Sequence, residues 1–138
     1  MKFGCLTTKH HSGYCIWDTK TTEYNVMNGP LKRDVVREYV DAFRKKGLDV
    51  MLYYSILDTH HRLRPGFINR NHIDLIKNQL KELLTNYGPI SALIIDGWDA
   101  PWSRISYEEV PFDDIYHFIK QLHDRTDLHS GLELCQIT

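Results

Sequence analysis

The sequence predicts an α/β fold in which helices alternate with the strands of one parallel sheet. Short runs of apolar and β-branched residues end near positions 8, 54 and 95, and segments with apolar residues at helical spacing follow each run. A strand–helix order repeated in this way implies parallel strands joined by right-handed crossovers. The loops that follow the strands are long, whereas the turns that follow the helices are short.

The first strand and the first helix are marked by their composition. Strand one is the run "FGCLTT", Phe3 to Thr8. The first helix lies in "LKRDVVREYVDAFRKKG", after Pro30, and its apolar residues recur at helical spacing: Val35, Val36, Tyr39, Val40 and Phe43. Asp34 is the expected N-cap of this helix, and Gly47 is its expected stop.

Two further strand–helix units follow. Strand two is "LDVMLYYS", Leu48 to Ser55, and helix two lies in "NHIDLIKNQLKELLTNYG", which Gly88 and Pro89 close. Strand three is "ISALIID", Ile90 to Asp96, and its near-continuous apolar run is typical of a strand covered on both faces. Helix three is predicted in "FDDIYHFIKQLHD", residues 112–124.

This pattern suits either a (β/α)8 barrel or a doubly wound sheet. A complete barrel takes ~250 residues, so a chain of 138 residues supplies only about half of one. Long, chemically rich loops after the strands are typical of a barrel enzyme, whose site lies at the C-terminal ends of its strands. We therefore expect an incomplete (β/α)8 TIM-like barrel of about three βα units.

The composition is that of a soluble globular protein, with 42% hydrophobic and 25% charged residues and a net charge of −1. Near-neutrality argues against a general nucleic-acid or anionic-membrane binder, and no apolar run reaches the ~20 residues that span a bilayer. Residues 1–9 lack the features of a secretory signal, so a cytoplasmic location is expected. Cys5, Cys15 and Cys135 are interpreted as reduced, although Cys5 and Cys15 could pair.

The three strand ends carry the most unusual residues of the chain. They comprise Lys9, His10 and His11 after strand one; Tyr53, Tyr54, Ser55, Asp58, His60 and His61 at and after strand two; and Asp96, Gly97, Trp98, Asp99 and Trp102 at and after strand three. Because parallel strands end at the same edge of a sheet, we expect these side chains to share one rim.

Asp96 is the most informative of them. It terminates an apolar strand, where an unpaired carboxylate is costly without strong hydrogen bonding. A carboxylate in this position serves as a nucleophile, a base or a metal ligand, or it caps backbone amides of the following loop. Position alone does not choose between the functional and the capping interpretation.

The histidines also allow more than one interpretation. The pair His10–His11 fits a loop with one ring packed and one exposed, or a site that binds hydroxyl groups. His60, His61 and Asp58 match no specific ligand spacing, which favours an ordinary loop. A metal-dependent hydrolase would draw its ligands from His10, His11, His60 and Asp96.

Aromatic and acidic residues near the rim have structural explanations too. Tyrosine is common in strands, and of the adjacent Tyr53 and Tyr54 one ring must face the helices. Three tryptophans fit either a core or a sugar-stacking surface: Trp17, Trp98 and Trp102. Glu108 and Glu109 lie in a polar loop before Pro111, where solvation is expected.

Taken together, these segments resemble the α-L-fucosidases of glycoside hydrolase family 29. The matching words occur in family order and spacing between Phe3 and about Leu122: "LTTKHHSGYCIWD", "YNVMNGPLKRDVV", "LYYSILD" followed by "HH", "IKNQLKELLTNYGPI" and "IIDGW". The resemblance implies a retaining exo-glycosidase on a (β/α)8-like barrel. It implies that Asp96 is the nucleophile, which would form a covalent glycosyl-enzyme with an α-L-fucosyl unit before water hydrolyses it.

The resemblance also implies the residues that hold the sugar. His10 and His11 match a histidine pair that hydrogen-bonds fucose hydroxyls. Tyr53 matches a tyrosine that lines the same pocket, a role that passes to Tyr54 if the register shifts by one residue. Trp98, from "IIDGW", is assigned to substrate binding with them. The implied substrate is a fucosylated glycan or glycoside, and the implied chemistry requires neither a metal nor a cofactor.

Several features depart from the family pattern. Ile94 and Thr59 stand where the family commonly has tryptophan, which would reshape the pocket. The usual acid/base carboxylate falls outside the matching words, and Glu109 is the candidate for it. The tail at 124–138 loses the resemblance.

Residues 1–138 are therefore expected to form part of a catalytic domain, weakly active or inactive alone; the alternatives are a non-catalytic fucose-binding fragment and a metal-dependent hydrolase. Unpaired sheet edges would allow self-association or pairing with missing barrel segments.

Overall fold

The computed structural model describes residues 2–126 and 133–137, and in these ranges four parallel strands alternate with three α-helices. In chain order the elements are β1 (Phe3–Lys9), α1 (Val35–Lys45), β2 (Asp49–Ser55), α2 (Arg70–Thr85), β3 (Ala92–Asp96), α3 (Phe112–Thr126) and β4 (Glu133–Ile137), with a short 3-10 helix at Val26–Asn28. The strands pair in the order β1-β2-β3-β4. The predicted fold class is confirmed, and β4 adds a strand that the sequence interpretation did not assign.

The first two helices begin at side chains that cap them. The Asp34 carboxylate accepts a hydrogen bond from the Arg37 backbone N–H at 2.9 Å, as predicted for the N-cap of α1. At α2, Asn69 and His72 form a capping box in which each side chain accepts from the other residue's backbone N–H. Both caps satisfy amide donors that lack partners within the helix.

All three helices pack on the same face of the sheet. Every second residue of β2 and β3 faces the helices and is buried with them in a common core. This core contains Val50, Leu52, Tyr54, Leu93 and Ile95 from the strands and Val36, Val40, Ile76, Leu80, Leu83, Ile115 and Ile119 from the helices. On the opposite face, Met51, Tyr53 and Ile94 are half-buried. Alternation along the strands therefore sends Tyr54 to the helices and Tyr53 to the other face.

Among the described residues the outer strands β1 and β4 each pair with one other strand, and the end of β1 also bridges from Lys9 to Cys15. Phe3, at the start of β1, is 56% exposed.

All three cysteines are unpaired, so the pairing of Cys5 with Cys15 that the sequence allowed does not form. No helix within the described ranges has the length and apolar character needed to cross a bilayer.

Candidate active site

The C-terminal ends of β1, β2 and β3 bring four of the predicted site residues together. His10 and His11 follow β1, Tyr53 lies near the end of β2, and Asp96 is the last residue of β3. The strand register aligns Tyr53 with Ile94 and sets Ser55 beside Asp96. Side chains from three separate strands thus meet at one rim of the sheet.

The two oxygens of Asp96 have different environments. Oδ2 accepts a hydrogen bond from the Tyr53 hydroxyl. Oδ1 is buried and has no hydrogen-bond partner among the described residues, and the residue as a whole is only 6% exposed. An unsatisfied buried acceptor is costly and requires an explanation, and a reactive group or a ligand site is one that fits a carboxylate at a strand end. The capping interpretation of this carboxylate is therefore not supported.

Tyr53 is held as a hydrogen-bond donor. Burial, and then its bond to Asp96 and the negative charge there, raise the pKa of the Tyr53 hydroxyl above its ordinary value. The phenol therefore keeps its proton at neutral pH. The His10 ring stacks on the Tyr53 ring with 5.8 Å between centroids. Tyr54, by contrast, is fully buried on the helix side and donates to Gln79 Oε1 at 2.6 Å.

His11 has one ring nitrogen fixed by the protein. Its Nδ1 lies 2.8 Å from Ser55 Oγ, and the Ser55 hydroxyl donates its own hydrogen to the Leu57 carbonyl at 3.2 Å. Burial, and then the neighbouring His10, lower the pKa of His11, with Asp96 acting in the opposite direction. A neutral His11 therefore donates from Nδ1 to Ser55 and leaves Nε2 as an acceptor for a hydroxyl group.

A buried charge pair, which sequence reasoning missed, lies behind the histidines. Lys9 and Asp58 are both fully buried, and Lys9 Nζ lies 3.2 Å from Asp58 Oδ2 and 3.2 Å from the Tyr54 hydroxyl oxygen. Asp58 also accepts from the His61 backbone N–H at 2.9 Å and lies 2.7 Å from His61 Nδ1. The sequence contains a signal for this pair, because a lysine that directly follows an apolar strand needs a carboxylate partner if it is buried.

His60 does not join His10 and His11. Its ring stacks on Tyr24 at 3.9 Å between centroids, while His61 is held by Asp58 and by Thr22 Oγ1 at 2.9 Å from Nε2. Within residues 2–126 and 133–137 no three His, Cys, Asp or Glu side chains lie in a group that could hold a metal. The proposed metal ligand set is therefore not assembled.

Two other predicted site residues occupy structural positions. Trp98 is 1% exposed and its indole N–H donates to the Val110 carbonyl at 2.8 Å, so it offers no free ring face to a substrate. Glu109 accepts from the Gly66 and Ser106 backbone N–H groups at 2.8 and 3.3 Å. No contact joins Glu109 to Asp96 in the described part of the chain. Trp102 instead lies beside the site, with its ring centroid 4.2 Å from that of His11.

Comparison with known proteins identifies the family to which this chain is related. The family model for α-L-fucosidases matches residues 1–129. Alpha-L-fucosidase 1 of Arabidopsis thaliana is 32% identical over 128 residues, which cover 91% of this chain and 24% of the relative. Alpha-L-fucosidase isoenzyme 1 from Paenibacillus thiaminolyticus is 32% identical with a TM-score of 0.76, over 97% of this chain and 34% of that chain.

A third similar protein is the family 29 α-L-fucosidase of Bacteroides thetaiotaomicron, solved as a trapped covalent intermediate in complex with 2-fluoro-fucosyl fluoride. It is 30% identical, with a TM-score of 0.73, over 96% of this chain and 30% of that chain. The present chain thus spans about a quarter of the length of the curated relatives and about a third of these solved structures. The family match covers nearly the whole chain, and the chain belongs to the α-L-fucosidase family of glycoside hydrolases.

Proposed function

We propose that this chain carries the fucose-binding and nucleophilic part of a retaining α-L-fucosidase site, with Asp96 as the nucleophile. The observation that supports this most is the state of the Asp96 carboxylate, in which Oδ2 is held by Tyr53 and the buried Oδ1 has no partner. His10 and His11 stand at the same rim, where they can hydrogen-bond sugar hydroxyls.

In the proposed reaction, Asp96 Oδ1 attacks the anomeric carbon of a fucosyl unit while the bond to the leaving oxygen breaks and the electron pair leaves with it. The product of this step is a glycosyl-enzyme ester, which water then hydrolyses to release fucose. Tyr53 orients the carboxylate, and neutral His11 accepts a hydrogen bond from a sugar hydroxyl. The substrate class is a fucosylated glycan or glycoside.

Labelling with 2-fluoro-fucosyl fluoride tests the nucleophile separately from the rest of the reaction. Fluoride leaves without a proton, so the first step needs only the nucleophile, and the fluorine at C2 slows hydrolysis of the ester. We expect mass spectrometry to find one fucosyl adduct per chain, on the peptide that contains Asp96, and none on an Asp96→Asn variant. Asp99→Asn, at an exposed residue three positions further along the chain, is the matched control and should label normally. An adduct on any other residue would overturn the assignment.

Fucose binding without turnover is the second candidate function. It is favoured by one observation: both oxygens of Glu109 hold loop backbone, and no second carboxylate contacts Asp96 among the described residues. A retaining site has its second carboxyl group ~5–5.5 Å from the first. Hydrolysis of an aryl α-L-fucoside by the 138-residue chain decides between the two, because binding with neither turnover nor labelling supports the second candidate.

We also propose that the outer strands of the chain are pairing surfaces, which take either a second copy of the chain or further segments of the barrel. Among the described residues β1 and β4 each pair with only one other strand, and an outer edge of this kind is a template for further strand pairing. The end of β1 is the exception, because the Thr8 carbonyl accepts from the Ile16 backbone N–H at 3.1 Å.

A further inference from the structure

Trp102 differs from the other two tryptophans in its exposure. Trp17 and Trp98 are 0% and 1% exposed, whereas Trp102 is 49% exposed. Its ring contacts the His11 ring at a tilt of 32°. Single exposed apolar side chains are common on protein surfaces, but Trp102 is distinguished by its contact with a ring of the site. A half-exposed indole in that position can offer a ring face to a bound ligand.

The loop between β3 and α3 holds Trp102 in a fixed position. The Arg104 and Ser103 backbone N–H groups both donate to the Ala100 carbonyl, at 2.7 and 3.0 Å, and close a tight turn around Trp102. Asp99 and Arg104, on either side of the turn, have φ values of +51° and +58°. Non-glycine residues rarely adopt this left-handed conformation, and it recurs at ligand sites where the surroundings enforce it.

The position of Trp102 relative to the other site residues indicates which part of a ligand it meets. Asp96, next to which the anomeric carbon of the sugar must lie, is 6% exposed. Trp102 is 49% exposed and contacts the site residues through the ring of His11. A fucosyl unit held by Asp96, Tyr53 and the histidines therefore occupies the inner part of the site. The group attached to its anomeric oxygen extends outward, towards the exposed ring.

We propose that Trp102 binds the leaving group of the substrate by stacking on a flat apolar face, either an aromatic ring or the C–H face of a second sugar. This rests on the proposed function, because it needs fucose at Asp96. Aromatic rings contribute binding through face and edge contacts beyond simple area burial. Trp102 is thus assigned as a specificity-determining residue for the leaving group, and fucose itself is recognised without it.

The test compares ligands that differ only in the group attached to fucose. Methyl α-L-fucoside, phenyl α-L-fucoside and a fucosyl-galactose disaccharide are titrated calorimetrically into the Asp96→Asn chain, so that no ligand is consumed. Adding Trp102→Ala should weaken phenyl fucoside binding about three- to tenfold and leave methyl fucoside binding within about twofold. Trp102→Phe should restore most of the lost affinity. Tyr116→Ala removes an aromatic ring of similar exposure on α3 and should change neither affinity.

A second readout uses the fluorescence of Trp102 itself. Iodide reaches an exposed indole but not the buried rings of Trp17 and Trp98. Phenyl fucoside should protect the emission from iodide quenching, and methyl fucoside should not. Protection by the disaccharide as well would extend the ligand class to sugar faces; protection by the phenyl compound alone would restrict it to aromatic groups.

The outcomes separate this proposal from the one on which it rests. Equal weakening of methyl and phenyl fucoside by Trp102→Ala would show that the ring contacts fucose and would overturn the leaving-group assignment. No change for any ligand would overturn it as well. Failure of the Asp96→Asn chain to bind even methyl fucoside would instead overturn the proposed function, and the role of Trp102 with it.

Discussion

At the scale of single residues, the hydrogen bond from Tyr53 separates the roles of the two Asp96 oxygens. Oδ2 is occupied by the phenol, so Oδ1 is the atom available for attack. His10 stacks on Tyr53, and His11 is oriented by Ser55. The carboxylate and both imidazole rings are thus positioned by neighbours before any ligand arrives, which is how a protein lowers the cost of orienting a reaction.

Replacing Tyr53 with phenylalanine should slow labelling by 2-fluoro-fucosyl fluoride about 10- to 100-fold, because Asp96 loses its orienting donor. The rate of adduct formation by mass spectrometry measures this. Tyr54→Phe is the matched control on the opposite face. It removes the donor to Gln79 Oε1 and one of the two acceptors of Lys9, which keeps Asp58, so it should lower the free energy of unfolding by ~1–3 kcal/mol while labelling continues at the normal rate. Equal labelling rates in the two variants would contradict the role of Tyr53.

The buried Lys9–Asp58 pair predicts a loss of stability in acid. Burial alone would raise the pKa of Asp58, but Lys9 and the His61 hydrogen bonds outweigh it and hold this pKa below its ordinary value of 3.8. The unfolded chain therefore binds a proton more readily than the folded one. The stabilisation is complete above the unfolded pKa and is lost as the pH falls through the lower folded pKa.

Urea unfolding between pH 6 and 2.5 measures this loss as a fall in the free energy of unfolding. A Lys9→Met/Asp58→Leu double variant should show a shallower fall, because it removes both charges and leaves neither unpaired. Single Asp58→Leu leaves Lys9 buried without its partner and should be the less stable variant, by ~3–5 kcal/mol. Asp18→Asn, in an exposed pair with Lys20, is the control whose slope should match the unsubstituted chain. An unchanged slope in the double variant would rule out this pair as the source.

The sequence predicted which residues reach the rim better than it predicted what they do there. The strand ends placed His10, His11, Tyr53 and Asp96 at the rim, because parallel strands end together. They placed Lys9 and Tyr54 there as well, and both of these are buried on the helix side. Trp98 and Trp102 could not be separated in this way. They lie four residues apart in one loop, and only the Ala100–Arg104 turn decides which ring is buried.

At the scale of elements, an irregularity near the end of β1 separates the charge pair from the rim. The register between β1 and β2 shifts after Thr7, so that Lys9 stands opposite Tyr54 instead of Ser55. Directly opposed residues of neighbouring strands point to the same face. The shift therefore sends the Lys9 ammonium to the helix side, towards Asp58, while His10 and His11 continue to the rim.

The β1–α1 loop also depends on a glycine at one position. Gly13 has φ +85°, and a Cβ there would lie 2.6 Å from Asp58 Cγ. Gly13→Ala should therefore lower the free energy of unfolding through backbone strain of ~1–3 kcal/mol and through displacement of the buried carboxylate. Gly47→Ala is the matched control, since Gly47 has φ +70° but no atom within 4 Å of its Cβ position. Equal losses in chemical denaturation would mean that the contact with Asp58 contributes nothing.

Strands and helices could be predicted where hydrophobic spacing was strong, and their ends could be predicted where caps were recognisable. The predicted strand and helix order was correct, and Asp34 caps α1 as expected. Strand β4 was not predicted because "ELCQI" is only five residues long and its apolar residues Leu134 and Ile137 stand three positions apart. Such a short run lacks the regular alternation of apolar and polar residues that marks a strand. The prediction that the tail at 124–138 departs from the family pattern stays a prediction.

At the scale of the whole molecule, the sheet is covered by helices on one face and bounded by two outer strands. The half-buried face carries Tyr53 and Asp96 at one end and the exposed ring of Phe3 at the other. The core thus lies between sheet and helices, away from the reactive carboxylate. A change at Phe3, at the opposite end of β1 from His10 and His11, can therefore be tested without altering the site.

Self-association through the outer strands predicts a mass that rises with concentration in sedimentation equilibrium. Phe3→Lys should reduce it, because a lysine on an edge strand opposes pairing with another edge. Tyr116→Lys places the same charge on an exposed position of α3 and should leave the association unchanged. A monomer at every concentration would contradict the proposed self-association.

Because Cys15 is buried, the rate at which its thiol reacts can report local opening of the segment that contains it. Burial raises the pKa of this thiol to about 12, although the nearby Lys9 acts in the opposite direction. Only a thiolate attacks a disulfide reagent, so Cys15 reacts when the segment around it lifts away from α2, whereas Cys5 and Cys135 are exposed on their strands. The slow phase of thiol modification therefore reports how often the segment that carries His10 and His11 opens. The measurement uses a cysteine that the chain already contains.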